Sequence, residues 1–196
     1  MPGDEAVQRT VQALEANNVH VVVVADGAAA KAEVLRIIPV GAEVMNVTST
    51  TLDVIGISQE VMESGRYVAV RKRIYSVPKE QSEKARRENS APDWVVGSVH
   101  AVTQDGHVAV ASQSGSQLPL YAASAKNVLW VVGAQKIVPD LAAAERRLRE
   151  HALPLEDARA RKAYGTGSAI NFMLVMNRAP RPGRITMVLV REPLGF

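Results

Sequence analysis

The stretch VHVVVVADGAAAKAEVLRIIPVGAEVMNV, residues 19–47, alternates between two kinds of hydrophobic pattern. Residues 19–25 form a continuous run of apolar, mostly β-branched side chains, which predicts a strand covered on both faces. Apolar side chains then recur at helical spacing over residues 30–38, and Pro39 ends that pattern. Residues 43–47 predict a second, short strand. A strand, a helix and a strand in this order indicate two parallel strands joined by a crossover helix.

The flanking sequence extends this alternation in both directions. Residues 5–17 and the segment that starts at Leu52 carry helical spacing, and further apolar strands are predicted over residues 93–103, 107–111 and 127–133. The predicted fold class is α/β. We expect a Rossmann-like mixed, mainly parallel sheet flanked by helices, in a single domain that spans residues 1–196.

The C-terminal segment carries a different pattern. Residues 170–176 and 185–190 predict two strands, joined by the polar stretch NRAPRPGR. Ile185, Met187 and Leu189 alternate with a period of two, which predicts a C-terminal antiparallel hairpin at an edge of the sheet. Because such an edge offers unpaired backbone groups, we also expect self-association as a homodimer.

Composition excludes several classes of protein. The net charge is only +3, acidic residues are mixed with the basic ones, and 4% of residues are aromatic, so nucleic-acid binding is disfavoured. The absence of cysteine excludes disulfides, thiolate metal ligands and a thiol nucleophile within this chain. No apolar run is long enough to span a bilayer, so we expect a cytoplasmic protein without a membrane contact. We expect neither a bound metal nor a cofactor.

Three segments place small polar residues directly after a predicted strand: NVTSTTLDVIG, VASQSGSQLP and VVGAQKIVPD. In a mainly parallel sheet such loops meet at the carboxyl edge, where amide groups at helix starts attract carboxylate or phosphate. Serine and threonine at these positions also serve as helix caps, and the sequence does not separate the two roles. The candidate ligand-binding residues are Thr48, Ser49, Thr50, Thr51, Gly106, Ser114, Gly115, Ser116, Gln117 and Lys136.

Asp105 is the candidate catalytic residue, a general base in the turn between two predicted strands. An Asp-Gly pair is equally the ordinary chemistry of a tight turn, so Asp105 and Gly106 also fit a structural role. His100 and His107 flank the same turn, and a histidine pair at this spacing would suit proton transfer or a metal. No set of acidic or histidine ligands except Asp105 accompanies them at a suitable spacing, and metal binding is therefore disfavoured.

The segments GSQLP, VVGAQKIV and PGRITMVLVREPLGF resemble the LUD domain family, of the lactate-utilisation protein C type. The resemblance covers nearly the whole chain and implies the NagB/RpiA/CoA transferase-like superfamily, whose members bind sugar phosphates or acyl-CoA with loops of this kind. It also implies iron–sulfur oxidoreductase partner subunits, because relatives act with such partners in oxidising lactate to pyruvate. CoA transferases use a glutamate nucleophile, and residues 95–119 contain none, which argues against CoA transfer.

Two functions from different classes remain open at this point. In the first, a LUD-domain protein binds a small anionic metabolite and is an accessory component in lactate or organic-acid utilisation. In the alternative, the chain is a stand-alone isomerase or hydrolase acting on a phosphorylated metabolite, with Asp105 as general base and Lys136 holding the phosphate. The sequence leaves open whether the protein is an enzyme.

Overall fold

The structure, a computed structural model, describes residues 1–196. It contains eight α-helices: α1 (Asp4–Ala16), α2 (Gly27–Ile37), α3 (Thr50–Val54), α4 (Ile57–Glu63), α5 (Val70–Tyr75), α6 (Ser82–Glu88), α7 (Leu141–Arg147) and α8 (Leu153–Tyr164). It contains ten strands: β1 (Val19–Val24), β2 (Glu43–Asn46), β3 (Val68–Ala69), β4 (Trp94–Gly97), β5 (Ala101–Thr103), β6 (Val108–Ser112), β7 (Asn127–Gly133), β8 (Ile137–Val138), β9 (Phe172–Met176) and β10 (Ile185–Val190). None of the helices is both long and apolar enough to cross a membrane.

Six strands form a parallel sheet in the order β1-β10-β7-β4-β2-β3. The predicted mainly parallel α/β architecture is therefore confirmed. The central strand β7 shows why: Trp130 faces one side of the sheet and Leu129 and Val131 face the other, all of them buried. A strand that buries both faces has to be covered by further layers on each side. Helices α2, α3 and α4 cover one face, while α1 and the second sheet cover the other.

The second sheet is small and mixed, in the order β8-β5-β6-β9. The predicted turn at residues 104–106 joins β5 to β6 as an antiparallel pair, while β8 lies parallel to β5. Strand β9 pairs antiparallel with β6 and forms one edge of this sheet.

The C-terminal hairpin predicted from the sequence is wrong. Strands β9 and β10 lie in different sheets, and β10 lies between β1 and β7 in the middle of the parallel sheet. Met187 and Val188 are both fully buried although they point to opposite faces, so β10 is covered by layers on both sides of the sheet. The stretch between the two strands is thus a crossing between sheets and not a hairpin turn.

The predicted strand over residues 93–103 is also divided between the two sheets. Strand β4 belongs to the parallel sheet, and β5 belongs to the small sheet. Residues 98–100 form the link where the chain passes from one to the other. This link leaves polar side chains at the carboxyl end of β4, at the edge of the sheet where the sequence places the candidate site.

Helices α7 and α8 form one continuous helical segment, joined by the π-helical turn Leu148–Ala152. The segment closes over the second sheet: Leu148 packs with Ala101 of β5 and Ala109 of β6. It therefore forms a wall next to the link between the two sheets.

Candidate functional site

A cleft of about 660 Å³ opens at the carboxyl edge of the parallel sheet. Strands β2, β4 and β7 run in the same direction, so the segments that follow them meet at this edge. Residues 47–51 follow β2, residues 98–100 follow β4, and Lys136 follows β7. The loop after β6 and side chains from α5, α6 and α8 complete the walls.

Most of the candidate residues come together in this cleft. The residues that line it are Thr48, Ser49, Thr50, Thr51, Ser114, Ser116, Gln117 and Lys136. Gly115 lies in the same loop as three of them. Asp105 and Gly106 do not line the cleft, and the expected convergence of their turn with the other loops is therefore wrong.

The loop after β6 is held in shape by its own hydrogen bonds. The Ser112 hydroxyl accepts the amide of Gly115 at 2.9 Å and donates to Oε1 of Gln117 at 2.8 Å. The amide of Ser116 donates to Oγ of Ser114 at 3.4 Å. Gly115 has a φ of +76°, a conformation that favours glycine. The hydroxyl of Ser114 also donates to Oγ of Ser116 at 3.0 Å, so these two exposed hydroxyls pair with each other at the cleft.

In the loop after β2, some hydroxyls stabilise the fold and others face the cleft. Ser49 precedes α3 and its hydroxyl accepts the amide of Leu52 at 3.4 Å, which makes it the cap of that helix. Thr51 is fully buried and its hydroxyl donates to the carbonyl of Leu194 at 3.3 Å. The Thr51 oxygen is thereby oriented with its lone pairs towards the interior of the cleft, where the ammonium of Lys136 lies.

Lys136 is the central cation of the cleft. It is 2% exposed, and Nζ donates to Oγ1 of Thr51 and to Oγ of Ser98, each at 3.1 Å. No carboxylate pairs with it, so nothing offsets the loss of hydration by an opposite charge. Burial, together with the positive charge of Arg147, lowers the pKa of Lys136 from 10.5 to about 7.

His100 and Arg147 add two more basic groups beside Lys136. Nδ1 of His100 accepts the amide of Ala111 at 3.2 Å, so the neutral ring carries its proton on Nε2. Burial, then the charges of Lys136 and Arg147, lower the pKa of His100 to about 4, and the imidazole is neutral at physiological pH. Arg147 has a buried Nη1 without a hydrogen-bond partner. A cluster of basic groups with no acid among them favours an anionic guest.

The rim of the cleft is also cationic. Arg71 on α5 donates from Nη2 to Oγ1 of Thr48 at 2.9 Å and from Nε to the hydroxyl of Tyr75 at 3.0 Å. Arg86 on α6 faces the same opening. The one acidic side chain in the lining, Glu156, is already bonded to Arg159 through both carboxylate oxygens, at 2.7 and 2.6 Å.

The Asp105 turn lies against α1 instead. Asp105 accepts hydrogen bonds from the hydroxyl of Thr103 and from Nδ1 of His107 at 3.1 Å. The hydrogen bond from Thr103 is the largest of the effects that hold the pKa of Asp105 below its usual value. Gly106 has a φ of +84°, and a Cβ there would lie 2.7 Å from the carbonyl carbon of Ala13. These contacts define a tight turn packed on a helix, and His100 lies at the opposite end of the hairpin.

Sequence reasoning missed four groups that line or approach the cleft: Arg71, Ser98, His100 as a cleft residue, and Arg147. One of them had a signal in the sequence. Arg147 shares a helical face with Ala144 and Leu148, which are buried, so its charge points towards the core. Ser98 and His100 had no such signal, because their positions depend on the division of residues 93–103 between two sheets.

The fold and this cleft together define an α/β protein with a cleft at the carboxyl edge of a parallel sheet. The LUD domain family matches the chain over residues 7–193, and the chain belongs to that family. A crystal structure of a DUF162 family protein from Deinococcus radiodurans, at 1.70 Å resolution, is similar with a TM-score of 0.60. It is 9% identical, and the match covers 97% of this chain and 99% of that one, so the likeness shows the fold alone. A search of curated proteins found no significant match.

Proposed function

We propose that the cleft binds a small anionic metabolite through a carboxylate or phosphate group. One observation carries the proposal: Arg71, Arg86 and Lys136 line the cleft without a carboxylate partner. An unpaired cation in a partly dehydrated site is stabilised by any anion that enters. The volume of about 660 Å³ falls within the range of small-molecule pockets, roughly 300–1,000 Å³.

We further propose that this ligand belongs to organic-acid metabolism and that the protein is a cytoplasmic accessory component of lactate or related acid utilisation. The association of the LUD domain family with lactate utilisation supports this choice. Since the chain has no cysteine, an iron–sulfur centre in such a pathway would be held by a partner subunit. The alternative of an isomerase or hydrolase with Asp105 as its base finds no support in the geometry, because Asp105 lies outside the cleft.

Thermal and urea unfolding in the presence of lactate, pyruvate or inorganic phosphate tests the proposal, with chloride at equal ionic strength as the reference. A ligand at about a hundred times its Kd stabilises the folded protein by about 2.7 kcal/mol. We expect at least one of these anions to stabilise the chain and chloride to do so far less.

Two arginines on α5 provide a matched pair for this experiment. Arg71 lines the cleft, whereas Arg73, two residues away, is paired with Glu43 and does not line it. We expect Arg71→Ala to weaken anion binding by roughly tenfold and Arg73→Ala to leave it unchanged. Asp105→Asn should also leave binding unchanged. Equal losses in the two arginine variants, or no stabilisation by any anion, would contradict the proposal.

A further inference from the structure

We propose that Lys136 is a catalytic residue whose Nζ forms an imine with a small carbonyl compound carrying a carboxylate or phosphate group. This inference rests on the proposed function, because the anionic group of the same molecule has to be held by the cations of the cleft. It goes further by naming the reacting atom, the bond that forms and the class of substrate.

The position of Lys136 fits a nucleophile better than a structural cation. It is the only lysine among the residues that line the cleft. Its two partners, Thr51 and Ser98, are hydroxyls at 3.1 Å and not carboxylates. A carboxylate would fix the proton on Nζ, whereas hydroxyls hold the amine in place in either protonation state.

The surroundings of Lys136 favour the neutral, nucleophilic amine. Arg147 on α7 and His100 on the link between the sheets are coupled electrostatically to Lys136, and both are basic; the one acidic side chain in the lining, Glu156, is paired with Arg159. With the pKa of Lys136 lowered to about 7, roughly half of the Nζ groups are neutral near pH 7. In an ordinary exposed lysine, fewer than about one in a thousand are neutral at that pH. The guanidinium groups of the rim arginines have no comparable nucleophilic form.

The chemical step needs no co-reactant. The lone pair of Nζ attacks the carbonyl carbon, the π electrons move to the carbonyl oxygen, and a proton passes from nitrogen to that oxygen to give a carbinolamine. The hydroxyl of Ser98, 3.1 Å from Nζ, is placed to relay this proton. The hydroxyl group of the carbinolamine then leaves as the nitrogen lone pair forms the C=N bond, and the remaining N–H proton passes to that hydroxyl to give water. One amine and one carbonyl give one imine and one water, with no change of oxidation state.

Reductive trapping of the full-length chain tests this step. The protein is incubated near neutral pH with pyruvate and sodium borohydride, and in parallel with dihydroxyacetone phosphate, and the intact mass is measured. Pyruvate should add one carboxyethyl group per chain, and peptide mapping should place it on Lys136. The phosphate-bearing ketone should give the corresponding adduct if phosphate is the anion that the cleft prefers. Lactate, which has no ketone or aldehyde group, should give none.

Variants separate the reactive lysine from the others. Lys136→Arg keeps a cation in the cleft and removes the nucleophile, so the adduct should be lost. Lys126→Arg, at an exposed position outside the cleft, should leave it unchanged. Adduct formation in the wild-type chain should also rise with a midpoint near pH 7, the lowered pKa of Lys136, whereas exposed lysines react only in more alkaline solution.

The outcomes distinguish this inference from the proposed function. Stabilisation by pyruvate or the phosphate-bearing ketone without an adduct on Lys136 would overturn the imine and leave anion binding intact. Adducts spread over exposed lysines would also overturn it. Absence of both stabilisation and adduct would overturn the two proposals together. Because mapping in the wild-type chain already decides the matter, the test does not depend on whether Lys136→Arg folds.

Discussion

Arg184 and Lys136 are both buried cations, and neither has a carboxylate partner. Arg184, immediately before β10, donates to three backbone carbonyls, those of Leu120, Tyr121 and Ala125. These carbonyls belong to or follow the π-helical turn Leu120–Ser124, so the guanidinium satisfies the end of that turn. Lys136 instead donates to two side-chain hydroxyls at the wall of an open cleft.

The two cations differ in how fully the folded protein satisfies their charge and hydrogen bonds. The guanidinium of Arg184 is matched by fixed backbone carbonyls. Removing it would leave the carbonyls of Tyr121 and Ala125 without this partner, while that of Leu120 still accepts the amide of Ala125. The two hydroxyls at Lys136 keep other partners, such as the carbonyl of Leu194 for Thr51, and can turn. A buried cation that satisfies the backbone is part of the structure, while one that the structure barely compensates is available to a ligand.

The largest expected effect is a difference in stability between two variants in which the buried cation, Arg184 or Lys136, is replaced by methionine. Arg184→Met removes the guanidinium partner of the buried Tyr121 and Ala125 carbonyls and should cost on the order of 3 kcal/mol or more of the free energy of unfolding. Lys136→Met removes a dehydrated charge and should leave the ligand-free protein as stable as the wild type, or more so, near neutral pH. Urea unfolding of the three proteins measures this. Similar losses in both variants would show that Lys136 also has a structural role.

A second, intermediate effect is the pH dependence of the stability difference between Lys136→Met and the wild type. Lys136 has a lowered pKa, so between about pH 7 and pH 10 the unfolded chain binds a proton that the folded chain does not. This group therefore makes wild-type stability rise with pH across that window, by roughly 1 kcal/mol per pH unit. The advantage of Lys136→Met should shrink accordingly as the pH rises.

Urea unfolding of the wild type and Lys136→Met at several pH values in this window checks the expectation. Arg184→Met is the control, because the guanidinium stays charged throughout and its deficit should not change in the same way. Parallel curves for the wild type and Lys136→Met would mean that the ammonium of Lys136 keeps its ordinary pKa.

The parallel sheet could be predicted because its signal is local. The apolar run of β1, the helical spacing of α2 and the short strand β2 follow one another, and a crossover is the arrangement that joins them. The interior position of β10 could not be predicted in this way. The alternation of Ile185, Met187 and Leu189 indicates an edge strand, whereas Val188 and Val190 make the run apolar on the other face as well. The place of this strand between β1 and β7 depends on its two neighbours. Strand order is decided by tertiary packing between segments far apart in the chain.

The candidate site, like the fold, could be predicted only where its signal in the sequence is local. The loops after β2, β6 and β7 could be predicted to meet, because carboxyl ends of strands share an edge and small polar residues mark them. Asp105 carried an equally strong local signal, and it is a turn residue packed near α1. Residue type and spacing therefore indicated which segments approach the cleft, but not which side chains carry the unpaired charge. That depends on burial, which for Lys136 and Arg147 is set by the second sheet and its covering helix.

The smallest expected effect comes from replacing a serine beside each of the two buried cations, Ser98 near Lys136 and Ser124 near Arg184. Ser98→Ala removes one of the two acceptors of the Lys136 ammonium, so it should lower the pKa of Lys136 further and change stability by about 1 kcal/mol or less. Ser124, in the turn that Arg184 caps, has a buried hydroxyl with no partner, so Ser124→Ala should be neutral or slightly stabilising. The measurement is the pH midpoint of adduct formation at Lys136. Ser98→Ala should shift it to lower pH and Ser124→Ala should not, and a shift in both would mean that the two cations are coupled.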